Sequence, residues 1–303
     1  MHPAASIIAF TTVSGMGYGL AAALGIGLLD PAAILTKVAH LLALAMIAAG
    51  LLSSTLHLGN PQRAWRAFSQ WRSSWLSREG VLAVAALLPL GLSAWLCLFE
   101  DRYMPLPGLL GAALGASTVY CTAMIYASLR SVQAWNTPLT PLCYLCFSAA
   151  GGGLLASCFA GSTSAFASIA PATLVALAWS AKVAWWRRAD IMSPLSTPET
   201  ATGLGPLGKV RLLERPHVNE NYLTREMGYR VARKHARKLR LLAIVAGGIA
   251  PAVILVMLAL AGSGTIVSAG AAVATVLFVA GLVVERWLFF AEAKHAVMTY
   301  YGG

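Results

Sequence analysis

The sequence predicts an all-α membrane protein, a bundle of eight transmembrane helices forming a single integral membrane domain over residues 1–303, and three observations lead there. Of its 303 residues, 58% are hydrophobic and only 11% charged, with a mean hydropathy of +0.71, more apolar surface than one water-excluded core can hold. Eight apolar stretches reach the roughly 20 residues a helix needs to cross hydrocarbon with its backbone hydrogen bonds closed internally. The basic residues gather on alternate connections between those stretches.

The first span, Pro3–Leu29, contains no charged residue, and no basic segment precedes it as a cleavable signal requires, so it is expected to stay in the membrane. Seven more follow at about Ile34–Leu56, Gly80–Phe99, Leu106–Leu129, Pro141–Ala160, Ala165–Trp186, Leu241–Ala261 and Thr265–Val284. The glycine run Gly15-Met-Gly17-Tyr-Gly19 follows no strand. It reads, like Gly151–Gly153, as small residues that let helices approach closely rather than as a phosphate loop. Cys97, Cys121, Cys143, Cys146 and Cys158 all fall within spans and read as packing residues. Cys143 and Cys146 have redox or metal spacing but lack a second pair.

A net charge of +11 would suggest nucleic acid for a soluble chain, but here its placement carries the information. With eight spans, 20 of the 22 Lys and Arg residues fall on one face, leaving only Lys37 and Arg102 opposite, beside Asp30, Glu100 and Asp101. The positive-inside rule makes the basic face cytoplasmic, with both termini inside. The one long polar connection, 188–240, begins as a Pro- and Gly-punctuated loop. It ends, over about Asn219–Arg240, in a basic amphipathic pattern expected to lie as a helix at the interface.

The connection between the second and third spans interleaves Trp65, Trp71 and Trp75 with Arg63, Arg66, Arg72 and Arg78, as an interfacial belt would. A belt does not explain His57 at the end of one span and Glu79 at the start of the next. Ionisable groups at membrane depth are costly and mark function, and a His and a carboxylate can exchange protons with a quinol hydroxyl. The plainer reading pairs Glu79 with Arg78 or Arg72 at the headgroups and makes His57 a helix cap. Bis-histidine haem is not expected, because His40 and His57 occupy opposite ends of one span and no other span holds a histidine.

The run His57-Leu-Gly…Pro61…Arg63-Ala-Trp65-Arg66-Ala-Phe…Trp71-Arg72-Ser-Ser-Trp75-Leu-Ser-Arg78-Glu79 resembles a signature of the dimethyl sulfoxide reductase membrane-anchor family. The opening Met1-His2-Pro3-Ala4 and the closing Glu285-Arg286-Trp-Leu-Phe-Phe-Ala-Glu292 are similar to that family too. The resemblance implies an eight-helix bundle without haem in a bacterial cytoplasmic membrane. It would anchor a molybdopterin catalytic subunit and an iron–sulfur electron-transfer subunit and take electrons from a quinol, menaquinol or ubiquinol. It also implies that Glu79 accepts the quinol proton and that His57 hydrogen-bonds the quinone oxygen. Arg66, Arg72 and Trp75 would shape the site and the docking surface.

Two alternatives stay open. An anchor of a quinone-reducing complex, for example a formate-oxidising one, would run electrons the other way, since the anchor does not encode its partner's substrate. A secondary transporter would also suit eight glycine-rich spans. Against the transporter, mid-span ionisable residues are nearly absent, Lys182 and His40 being the only charged or histidine side chains more than a turn inside a predicted span, and no paired broken helices are visible.

Overall fold

The computed structural model describes residues 3–55, 60–160, 166–194, 196–214, 235–261 and 265–301. Its body is eight long helices: α1 (Ala5–Gly25), α2 (Ile34–Thr55), α3 (Trp75–Glu100), α4 (Pro105–Ala127), α5 (Leu139–Phe159), α6 (Phe166–Ile191), α7 (Ala236–Ile244, Val245–Ile249 and Ala250–Ala261) and α8 (Thr265–Ala291). Each is long and apolar enough to cross a bilayer, and the described residues contain no strand. The chain is a multi-pass membrane protein. Large apolar side chains such as Leu88, Leu106, Leu260 and Val276 stand exposed around the bundle, as a lipid-facing surface requires.

In lipid the hydrophobic effect does not drive helix against helix, so close packing and buried hydrogen bonds must hold the bundle. α1 lies at its centre, against α2, α4, α5 and α8. Small residues make that possible. A Cβ added at Gly19 would collide with the backbone of Ser148, and one at Gly152 with the backbone of Gly19, so α1 and α5 touch main chain to main chain. Ser148 Oγ crosses the same seam, donating to Gly15 O at 2.6 Å.

α7 carries a π-helical turn, Val245–Ile249, immediately before Pro251. Pro251 has no N–H, so the carbonyl four residues back, that of Gly247, loses its ordinary helical donor. Trp179 of α6 replaces it, donating from Nε1 to Gly247 O at 2.7 Å. Gly247 also packs against Gly281 of α8, where neither position has room for a Cβ.

The basic end is closed by the connection 128–138, which folds inward. Trp135 is 1% exposed, stacks on Phe289 with centroids 5.1 Å apart and donates to Phe289 O at 2.9 Å. Thr140 ties α5 to both sides, donating to Trp135 O at 2.8 Å and accepting from Trp185 Nε1 at 3.0 Å.

Several span boundaries run past the sequence expectation. α3 begins at Trp75 rather than Gly80, α6 ends at Ile191 rather than Trp186, α7 begins at Ala236 rather than Leu241, and α8 continues to Ala291 rather than stopping near Val284. Hydropathy ends a span at the first charge, whereas a helix continues as long as its charges find partners. Within 188–240, α6 runs on to Ile191, and a short helix, Pro198–Thr202, is capped by Thr197 and Thr200. Residues 215–234, which hold most of the expected interfacial helix, lie outside the described residues, as does His57.

Gly152→Val should lower the thermal unfolding midpoint in detergent, at a cost of about 1–3 kcal/mol typical of overpacked cores, while the lipid-facing Leu88→Val should change it little.

Candidate functional site

The site begins at the start of α3. A 3-10 helix, Pro61–Gln70, docks on that end: Ser77 Oγ donates to Ala67 O, and Phe68 covers Gly80, where a Cβ would meet its ring at 3.3 Å. Arg78 folds back over the connection, donating from Nε to Trp71 O at 3.0 Å and from Nη2 to Arg72 O at 2.6 Å, with its guanidinium 4.3 Å from the Trp75 ring centroid. Its donors therefore go to carbonyls, and among the described residues no ion pair includes Glu79.

Glu79 lies one turn inside α3, four residues after Trp75 and so on the same helix face. It is 6% exposed, and Thr122 of α4 donates its hydroxyl to Oε1. Thr122 has a second acceptor, the Thr118 carbonyl at 3.1 Å. A hydroxyl has one proton, so the arrangement serves both states of the acid. Ionised Glu79 accepts from Thr122; protonated Glu79 donates to Thr122 Oγ1, whose own proton turns to Thr118 O.

The other expected residues lie around this point. Trp75 is half-buried and edge-on to Tyr120, with centroids 6.1 Å apart. Arg66 and Arg72 are exposed, each with its guanidinium 5.6 Å from its neighbouring Trp ring, and they belong to the outer surface of the segment rather than to the carboxyl pocket. His57 lies outside the described residues, so its distance from Glu79 is not part of this geometry. His40 is buried toward the opposite end of α2, beside a small cavity with Thr36, Cys97 and Tyr103. No group of three metal-ligating side chains occurs among the described residues.

A second polar centre was missed in the sequence. Lys182 of α6 and Glu285 and Arg286 of α8 are 1%, 0% and 2% exposed. Lys182 Nζ lies 2.6 Å from Glu285 Oε1, and Arg286 Nε donates to Glu285 Oε2. Aromatic faces surround the cations: Trp185 is 3.9 Å from Lys182 Nζ, and Tyr144 is 4.2 Å from the Arg286 guanidinium. Glu285 and Arg286 read as tail residues because hydropathy places the span's end before them. The available signals were the adjacent opposite charges followed directly by the apolar Trp287-Leu-Phe-Phe-Ala291, and their place in the closing run that resembles the anchor family. Ionisable groups inside the spans are thus more numerous than Lys182 and His40.

Tyr126 and Tyr144, stacked with ring centroids 6.1 Å apart, each interact electrostatically with both Glu79 and Arg286. Glu79, Thr122, Tyr144 and Arg286 all sit about one to two turns from the basic end of their helices. They form a polar layer at one depth.

The family model of the DMSO reductase anchor subunit (DmsC) matches residues 1–291. A sulfite dehydrogenase subunit from Allochromatium vinosum is 32% identical over 326 aligned positions, covering 99% of each chain. No solved structure matches the chain.

Removing one member of a buried ion cluster strands the others. Glu285→Gln, which leaves two cations together, should destabilise the protein by about 3–5 kcal/mol. Lys182→Met, which leaves the neutral Glu285–Arg286 pair, should cost less. Thermal unfolding of the two variants side by side checks that order.

Proposed function

Because the chain belongs to the DMSO reductase anchor subunit family, we propose that it anchors a molybdopterin oxidoreductase and exchanges electrons and protons between the quinone pool and an iron–sulfur subunit. The observation that carries this reading is Glu79: a buried carboxyl without an ion-pair partner among the described residues, held by a hydroxyl that serves both its protonation states, at the end of the bundle where the basic residues lie.

The residues fit a quinol ring and its hydroxyls. Trp75, Tyr120 and Phe68 supply apolar and aromatic surface beside α3, and the carboxyl supplies a proton acceptor. Quinol oxidation releases two electrons and two protons. The electrons would pass to the partner's clusters. Ionised Glu79 takes one proton from a quinol hydroxyl while Thr122 reorients to accept from the protonated acid, and the proton of the second hydroxyl leaves to water at the basic end. His57 hydrogen-bonds the second oxygen. Arg63, Arg66 and Arg72, exposed and interleaved with Trp65 and Trp71, form the surface on which the iron–sulfur subunit docks, with the molybdopterin subunit beyond it. The membrane is the bacterial cytoplasmic membrane, with both termini inside.

The direction of flow has a second reading, favoured by the relative named as a dehydrogenase subunit. Electrons then run from the partner into quinone, protonated Glu79 delivers one proton to a quinone oxygen while Thr122 swings back, and water at the basic end supplies the second proton. The same groups serve both directions.

In the purified complex, Glu79→Gln and His57→Ala should each lower quinone-dependent turnover at least tenfold, while turnover with an artificial soluble electron carrier stays near that of the parent. Equal loss of both activities, or of neither, contradicts the assignment. Thr122→Val should lower the quinone-dependent rate less than Glu79→Gln does, since it removes the partner and leaves the acid. Assaying the complex with sulfite plus an oxidised quinone analogue, and separately with the reduced analogue plus a sulfoxide, decides the direction.

A further inference from the structure

Between α1, α4, α5 and α8 lies a small cavity of about 20 Å³, room for a single ion or one water, lined by Thr12, Met16, Tyr144, Phe147, Ser148 and Arg286 among others. Three polar atoms on its wall are buried without a hydrogen-bond partner: Thr12 Oγ1, Tyr144 OH and Arg286 Nη2. Their residues are 3%, 5% and 2% exposed. The Arg286 guanidinium sits 4.2 Å from the centroid of the Tyr144 ring and interacts with the tyrosine electrostatically, yet Nη2 and the hydroxyl each lack a hydrogen-bond partner.

Buried donors left unmade are expensive, and three around one void call for an occupant. Charge decides what kind. Lys182 and Arg286 are two cations against the single carboxylate of Glu285, and no other carboxylate among the described residues acts on either cation. Glu79, the remaining buried acid of the layer, is held by Thr122 and interacts electrostatically with Tyr126 and Tyr144 rather than with either cation. The wall is therefore rich in donors and carries one surplus positive charge at hydrocarbon depth, where an uncompensated charge is most costly. Of the acceptors close by, Gly15 O takes the Ser148 hydroxyl, Glu285 Oε2 accepts from Arg286, and Glu285 Oε1 is ion-paired with Lys182 Nζ at 2.6 Å while accepting no hydrogen bond.

We propose that this cavity is a binding site for one small monovalent anion of the halide class, held by Arg286 Nη2, Tyr144 OH and Thr12 Oγ1 as the counter-ion of the buried Lys182–Glu285–Arg286 cluster. The ion joins α1 to α5 and α8 at the depth of the Glu79 layer. The site stands on cavity, donors and charge alone, independently of the quinone reading.

The test uses the intact purified complex in bromide, chloride or gluconate at equal ionic strength. Bromide and chloride should raise the thermal midpoint by about 2–4 °C over gluconate, and Thr12→Val with Tyr144→Phe should abolish that increment. Anomalous scattering from the bromide form should show a peak within hydrogen-bond distance of Arg286. Midpoints indifferent to halide, together with cavity density lacking an anomalous signal, would mean that water fills the site and would overturn the proposal. Should the double variant fail to assemble, the bromide peak in the parent complex still decides the matter. Loss of quinone-dependent turnover in Glu79→Gln leaves this outcome untouched.

Discussion

Hydrocarbon offers no hydrogen-bond partner, and that single constraint organises the whole molecule. A polar group that enters the membrane has to find its partner within its own helix or on a neighbouring one. Where Pro251 deprives Gly247 of its donor, Trp179 reaches over from α6. Where α1 and α5 meet at glycine, Ser148 spans the seam to Gly15. Trp135 and Trp185 place their indole N–H groups on Phe289 O and Thr140. These bonds also set helix positions, because lipid competes for apolar contacts but not for directional ones.

The same constraint applied to charge yields two solutions at one depth. Lys182, Glu285 and Arg286 neutralise one another in part and are wrapped in aromatic faces, an arrangement that locks α6 to α8. Glu79 has a neutral hydroxyl donor rather than a cation. A carboxyl held this way gains less from ionisation than an ion-paired one, which suits the proton exchange proposed for it. An ion-paired acid and an acid held by a neutral hydroxyl thus occupy the same layer, and the difference lies in the partner each was given.

Much of this was legible in the chain itself. Eight spans follow from hydrophobic length, and Glu79 stood out because a carboxyl at a span's edge is costly wherever it occurs. Its partner did not stand out. Thr122 is one of several hydroxyl residues in α4, and nothing local distinguishes it from Ser117 or Thr118, whose hydroxyls bond back to their own helix. Glu285 and Arg286 were placed outside the last span because hydropathy counts their charge without knowing that Lys182 waits on α6. The expectation that Arg72 or Arg78 pairs with Glu79 gave way for a related reason. Arg78 finds carbonyl acceptors in the turn before α3, freed because residues 71–74 are not helical.

By itself, then, the sequence determined the membrane class, the number of crossings, the one-sided distribution of charge and the segment around Glu79, because each depends on hydrophobic length and on the cost of charge in lipid, both local properties. Only the tertiary structure decided which charges are buried together, which hydroxyl attends Glu79 and where donors converge on a cavity without a partner. Those depend on which helices become neighbours, and residues more than a hundred positions apart, such as Lys182 and Glu285, carry no mark in the chain of the contact that folding gives them.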